Sequence, residues 1–158
     1  KLIFGKDPKY PSENIEWIAD LMRKSKINFE FKENSLVDIW TKFIFIASFG
    51  LVTAKHNSSI GTVCIMDSQK EEATKIMGEI KAIADKKGID LQVNIILKTF
   101  EKASSFPPTT PTSLQLDINS GKENNELELF AGAIIKYGKE ANVNTRFTES
   151  IYQEIKST

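Results

Sequence analysis

The sequence predicts an all-α domain of roughly six helices, and three observations carry that reading. Apolar residues recur at three- and four-residue spacing along most of the chain. Residues that start and stop helices stand at the ends of those runs. The alternation that marks strands is confined to two short segments.

Taken in order, Lys1-Leu2-Ile3-Phe4-Gly5 reads as a strand ending in glycine, followed by a turn through Asp7-Pro8-Lys9-Tyr10-Pro11. An orphan strand at the head of a helical chain is expected to pair with a sheet upstream. A start on Lys1 rather than Met is expected of a piece of a longer chain. Ser12 is a candidate N-cap for a helix whose apolar stripe is Ile15, Ile18, Ala19 and Met22. Across 27–32, Phe29 and Phe31 alternate with polar residues, as in an extended connector or short edge strand. Ser35 can cap a long helix over 36–55, and Asn57-Ser58-Ser59 breaks it. The segment 60–66 is too short to assign. Asp67 or Ser68 opens a helix to Lys87, with Gly88 placed as a C′ residue. A helix over 93–103 is stopped by Ser104-Ser105 and Pro107-Pro108, and 125–142 and 145–156 form the last two. There is no internal repeat and no low-complexity tract.

Composition bounds the function. A chain of 158 residues can bury a core as a single domain. Lysine plus arginine and aspartate plus glutamate both total 21, giving a net charge of zero. That argues against a nucleic-acid backbone binder, which needs a basic excess. The single cysteine, Cys64, excludes an internal disulfide and a cysteine-based zinc site and suits a reducing compartment. The uncharged apolar stretch 43–54 falls short of the roughly 20 residues a membrane span needs, so it reads as a buried helix. The eight glycines give no G-x-G-x-x-G, so dinucleotide affinity is not expected from this chain alone. His56 has no second histidine for a metal site, and Cys64 reads as a small core residue. Asn57-Ser58-Ser59 fits a glycosylation acceptor, a pattern short enough to arise by chance.

Two segments carry chemistry. One is Lys42, in Asp38-Ile39-Trp40-Thr41-Lys42 at the head of the apolar run Phe43-Ile44-Phe45-Ile46. A lysine there snorkels to solvent, pairs with Asp38 one turn back, or faces a polar cavity. With a helical period of 3.6, Lys42, Ile46, Gly50 and Thr53 share a side of the helix. The other is the segment 112–131, T-S-L-Q-L-D-I-N-S-G-K-E-N-N-E-L-E-L-F-A, which leads into Gly132. From the residues alone, Ser113 is a helix N-cap and Glu126 a first-turn glutamate complementing the helix dipole.

Together these segments resemble the ketopantoate reductases (2-dehydropantoate 2-reductases), from their C-terminal domain. The resemblance rests on Thr112-Ser113 before a hydrophobic residue, Asp117 four after the serine, Gly121 four after that, and Glu126 six before Gly132. Trp40-Thr41-Lys42 matches the family's Trp-x-Lys on its long buried helix, and the closing Asn144-Thr145 with Ile151-Tyr152 is similar too. The family's proline after that threonine is Arg146 here, and the step from Gly121 to Glu126 is one residue longer.

The resemblance implies the 6-phosphogluconate dehydrogenase C-terminal-like fold with a short N-terminal exit strand. It implies a link over 1–10 from an N-terminal dinucleotide-binding domain, then a helical substrate-binding and catalytic domain over 11–158. It implies reduction of a 2-keto acid, ketopantoate to pantoate in pantothenate biosynthesis, with NADP bound mainly by an N-terminal Rossmann-type domain. Lys42 would then be the catalytic general acid, Ser113 the partner of the substrate carboxylate, Glu126 the anchor of a substrate hydroxyl, and Asp117 a helix or loop anchor. Ile46 and Gly50 stand where the family places two substrate-holding asparagines. That departure leaves two alternatives open: a reductase of a less polar 2-keto acid, and a non-catalytic helical interaction or dimerisation module with a decayed pocket. A cytoplasmic location is expected, with no nucleic acid or membrane as partner, and a homodimer is left open.

Overall fold

The computed structural model describes residues 2–6, 10 and 14–157. Two compact units divide inside one long helix, the first ending at Ile39 and the second starting at Trp40.

The first unit holds β1 (Leu2–Gly5), α1 (Glu16–Lys24), β2 (Phe29–Lys32) and the opening turn of α2 (Leu36–His56). Here the structure corrects the reading of β1 as an orphan strand. β1 is paired within the chain: it runs parallel to β2, with Leu2 opposite Phe29 and Gly5 opposite Lys32. The alternation at Phe29 and Phe31 supplies the reason, because both rings lie 5.6 Å from Phe4 across the pair. Parallel strands require a crossover, and α1 provides it. Ser12 and most of the expected turn lie outside the described residues. α1 starts at Glu16, whose N–H donates to Asn14 Oδ1 at 2.9 Å. Ile18, Ala19 and Met22 are half-buried as their spacing predicts, whereas Trp17 and Leu21 are exposed.

The second unit contains most of α2, then α3 (Ile60–Ile65), α4 (Asp67–Lys86), α5 (Ile95–Ala103), α6 (Ser113–Asn119), a π turn (Glu128–Gly132), α7 (Ala133–Ala141) and α8 (Arg146–Lys156). The all-α reading holds, with eight α-helices among the described residues. The two additional helices are α3 and α6, each too short to show a period. Ser59 caps α3 by accepting from Thr62 N–H, and Thr112 caps α6. α4 ends as Gly88 predicts: Gly88 N–H reaches Asp85 O and Ile89 N–H reaches Ala84 O, with Gly88 at φ 70°. This is the Schellman arrangement, and Gly121 closes α6 the same way.

α2 is the core helix. Ile44, Ala47, Phe49, Leu51 and Val52 are fully buried. Trp40 packs on Tyr137 of α7, while Phe49 meets Phe100 of α5 edge-on and Phe45 stacks on Phe106. By length and a mean hydropathy of 1.6, α2 could cross a bilayer, yet half of that stretch is buried inside the protein. It is read as the core helix the sequence predicts.

The expected helix over 125–142 is interrupted. The π turn widens the backbone at Glu128–Gly132 before α7 resumes regular winding and ends at Asn142, which takes a left-handed conformation. Tyr152 of α8 donates its hydroxyl hydrogen bond to Glu128 on this turn, and Lys156 lies 3.4 Å from the same carboxylate.

Candidate active site

The proline-rich loop before α6 is fixed from outside. Ile60 N–H donates to Thr110 O at 2.9 Å and Gly61 N–H to Pro108 O at 3.0 Å, so the free donors at the start of α3 hold the loop. Thr112 then makes a capping box with Gln115, its hydroxyl accepting from Gln115 N–H while the Gln115 side chain accepts from Thr112 N–H. The cap is therefore Thr112 and not Ser113. Thr112 Oγ1 also lies 2.6 Å from Thr53 Oγ1, tying α6 to α2. Asn57 Oδ1 spans α6, accepting from Gln115 Nε2 in its first turn and from Asn119 Nδ2 at its end. The Thr112-x-x-Gln115 spacing was legible; the Thr53 and Asn57 bonds, which join residues 58 to 62 apart, carry no local signal.

Relieved of capping, the Ser113 hydroxyl donates to Glu126 Oε2 at 2.7 Å. These two residues, thirteen positions apart, are brought together at the start of α6. Asp117 acts on the loop that follows, accepting from Lys122 Nζ at 2.9 Å. Glu126 precedes the π turn, and its carbonyl accepts from Phe130 N–H at 3.0 Å.

Lys42 is exposed, and among the described residues it forms no hydrogen bond or ion pair. Its i−4 neighbour Asp38 is taken by Lys32, at 2.7 Å. On the stripe that starts at Lys42, Ile46 is half-buried, Gly50 is fully covered and Thr53 reaches Thr112. Gly50 faces the Phe130 ring and Leu114, with no open space beside its Cα. The lower half of the stripe thus packs against α6 and the π turn. Lys42 stands about 12 Å further along the helix axis from Gly50.

His56 pairs with Glu72 at 2.8 Å, and Cys64 is half-buried, with burial pushing its thiol above the ordinary range. No cluster suited to a metal ion occurs among the described residues.

Residues 34–158 match the family described as ketopantoate reductase PanE/ApbA, C terminal. The chain belongs to this family. A 2-dehydropantoate 2-reductase of Streptococcus pyogenes serotype M18 is 22% identical over 138 residues, covering 85% of this chain and 44% of that protein. The chain spans about half the length of the curated relatives it matches. Among solved structures, the 2-dehydropantoate 2-reductase of Methylococcus capsulatus superposes with a TM-score of 0.80 at 24% identity, over 98% of this chain and 49% of that one. D-mandelate dehydrogenase, solved with NADH and anilino(oxo)acetate, superposes with a TM-score of 0.79 at 16% identity, over 98% of this chain and 83% of that one. The helical C-terminal domain of an oxidoreductase family is therefore the fold.

Proposed function

We propose that this chain is the substrate-binding part of an NADP-dependent, cytoplasmic 2-keto acid reductase, with ketopantoate, reduced to pantoate for pantothenate biosynthesis, as the first candidate substrate. The observation that supports this reading is the Ser113–Glu126 hydrogen bond at the head of α6, together with a Lys42 that is unpaired among the described residues, on a helix stripe that packs against α6 further down. The residues here do not suit a dinucleotide. The parallel strand pair carries one glycine, Gly5, and no G-x-G-x-x-G is present. The cofactor is assigned to a separate N-terminal Rossmann-type domain, linked through residues 1–10 to the helical domain over 11–158. The βαβ geometry of the first unit supports a Rossmann-type neighbour, but because it runs from Leu2 to Lys32 it favours a boundary near the division at Ile39 over one at residue 10. Parallel sheets are covered on both faces in folded proteins, yet Leu2, Ile3, Trp17 and Leu21 are exposed.

Reduction of a 2-keto acid adds a hydride at C2 and a proton at the carbonyl oxygen. Lys42, as an ammonium, polarises that carbonyl and delivers the proton to the developing alkoxide. Ser113 holds the substrate carboxylate. A hydroxyl has one proton, so Ser113 turns it from Glu126 to the substrate when the acid binds. Glu126 positions Ser113 in the empty site and offsets the lysine's charge in the filled one.

A second reading, a less polar 2-keto acid, is favoured by Ile46 and by the ring of Phe130 over Gly50. The test is a panel of 2-keto acids given to the full-length protein with NADPH and with NADH. Oxidation of the nicotinamide by one or more acids is the expected result. A full-length protein that reduces none of them overturns the enzymatic reading in favour of a non-catalytic module.

A further inference from the structure

We infer that Tyr152, acting through Glu128, is a positioning residue that fixes the direction of Glu126; the inference rests on the reductase reading above. Glu126 stands two residues before the π turn, where Ala133 N–H donates to Glu128 O, five residues back instead of four. A π turn adds one residue to a helix. What precedes it is rotated, relative to α7, by about 100° from where an unbroken α-helix would carry it. The winding of Glu128–Gly132 therefore decides whether Glu126 faces Ser113 or turns away from α6.

The turn is held by a side chain folded across it. The Glu128 carboxylate lies over Gly132, where a Cβ would come within 2.6 Å of Oε2. The other oxygen, Oε1, accepts from the Tyr152 hydroxyl and stands 3.4 Å from Lys156 Nζ. Lys156 also donates to the Tyr152 oxygen at 2.9 Å, which leaves the phenol proton for Glu128. The Tyr152 bond, helped by Lys156, outweighs slight burial and holds the Glu128 carboxyl below its usual range. α8 is a firm post for this bond, because it is tied to the core near both ends. Glu79 of α4 takes three hydrogen bonds at its first turn, and Glu154 meets Lys55 of α2 at 3.0 Å. An exposed bond of this kind adds little to overall stability. Its effect here is local, on the winding of five residues beside the Ser113–Glu126 pair.

The test uses the full-length protein with NADPH and three probes: ketopantoate, trimethylpyruvate and phenylglyoxylate. Tyr152→Phe removes one hydroxyl. It is expected to raise KM for the fastest probe roughly 5-fold while kcat changes less than about 2-fold, the pattern of lost uniform binding. Gly132→Ala pushes the flexible end of Glu128 off the turn and is expected to raise KM as much. In a Glu126→Gln background, Tyr152→Phe is expected to change KM by less than about 2-fold, because nothing is left for it to position. A wild-type KM in either single variant, with an unchanged circular dichroism spectrum, overturns the inference and leaves the reductase reading standing. A rise that persists in full in Glu126→Gln also overturns it, by marking Tyr152 as a general support of the fold. Reduction of none of the three acids by the wild type removes the reductase reading and the inference with it.

Discussion

Lys42 shows how a residue can be visible in sequence while its role depends on what surrounds it. The sequence allowed a pair with Asp38, but that carboxylate is bound to Lys32, and the Lys42 ammonium has no partner among the described residues. An exposed lysine without a structural bond can be removed at little cost to the fold, so its loss reads chemistry alone. In the full-length protein, Lys42→Ala is expected to lower kcat roughly 10²-fold or more, the scale of a positioned general acid, with an unchanged circular dichroism spectrum. Lys42→Arg is expected to stay impaired, because a guanidinium keeps its proton. Near-normal kcat in Lys42→Ala would show that the proton comes from elsewhere. The neighbouring residues were less legible. Ser113 read equally well as a cap, and only the capping box at Thr112 and Gln115 shows that its hydroxyl is left for Glu126.

At the scale of elements, two carboxylates on α4 hold helices that the sequence gives no reason to join. Glu79 is buried and receives three hydrogen bonds from the first turn of α8: Phe147 N–H at 2.8 Å, Thr148 N–H at 3.0 Å and the Thr148 hydroxyl at 2.6 Å. It caps α8 from another helix, where the dipole also favours a negative charge. Glu79→Ala leaves those donors buried and is expected to cost about 3 kcal/mol. In a chain of this size that lowers Tm by roughly 6–12 °C, with Glu79→Gln losing about half as much; a calorimetric scan with unchanged Tm would remove Glu79 from this role. Glu72 joins the end of α2 to α4, bonded to Lys55 and His56, while Lys55 also reaches Glu154 of α8 at 3.0 Å. Burial alone would raise the Glu72 carboxyl, but the hydrogen bonds from Lys55 and His56 outweigh it and hold the group below its usual range. A carboxyl depressed in the folded state stabilises fully above its unfolded value near 4.3 and loses that contribution as pH falls through the folded value. Glu72→Gln is therefore expected to flatten the loss of stability below about pH 4, measured by urea unfolding at several pH values. An identical acid limb in the variant would show that other carboxylates govern it.

For the whole molecule, periodicity revealed the long helices because each has enough turns to display an apolar face, and Gly88 marked an end correctly. It missed α3 and α6 because six or seven residues contain too little of a period, and it missed the π turn because a widened backbone leaves the apolar spacing almost intact. Pairing of β1 with β2 was hidden for a related reason: two four-residue strands announce an extended backbone but not a partner. The candidate site was legible only as an ordered set of residues, since the bonds that assemble it run between positions far apart in the chain. The same division bears on what the 158 residues do alone. The second unit carries the helical core, including α2 with its ten buried residues, and needs no cofactor to bury it. The first unit exposes Trp17 at 65% while Trp40 is 9% exposed. The isolated chain is therefore expected to give a strongly helical circular dichroism spectrum and a cooperative thermal transition. Its fluorescence is expected to divide into a Trp17 fraction quenched readily by acrylamide and a Trp40 fraction that is protected. Titration with NADPH is expected to show no binding, because the chain lacks a glycine-rich phosphate loop. Micromolar binding of NADPH by these 158 residues would overturn the assignment of the cofactor to another domain, while a chain with no thermal transition would show that the helical core depends on that domain to fold.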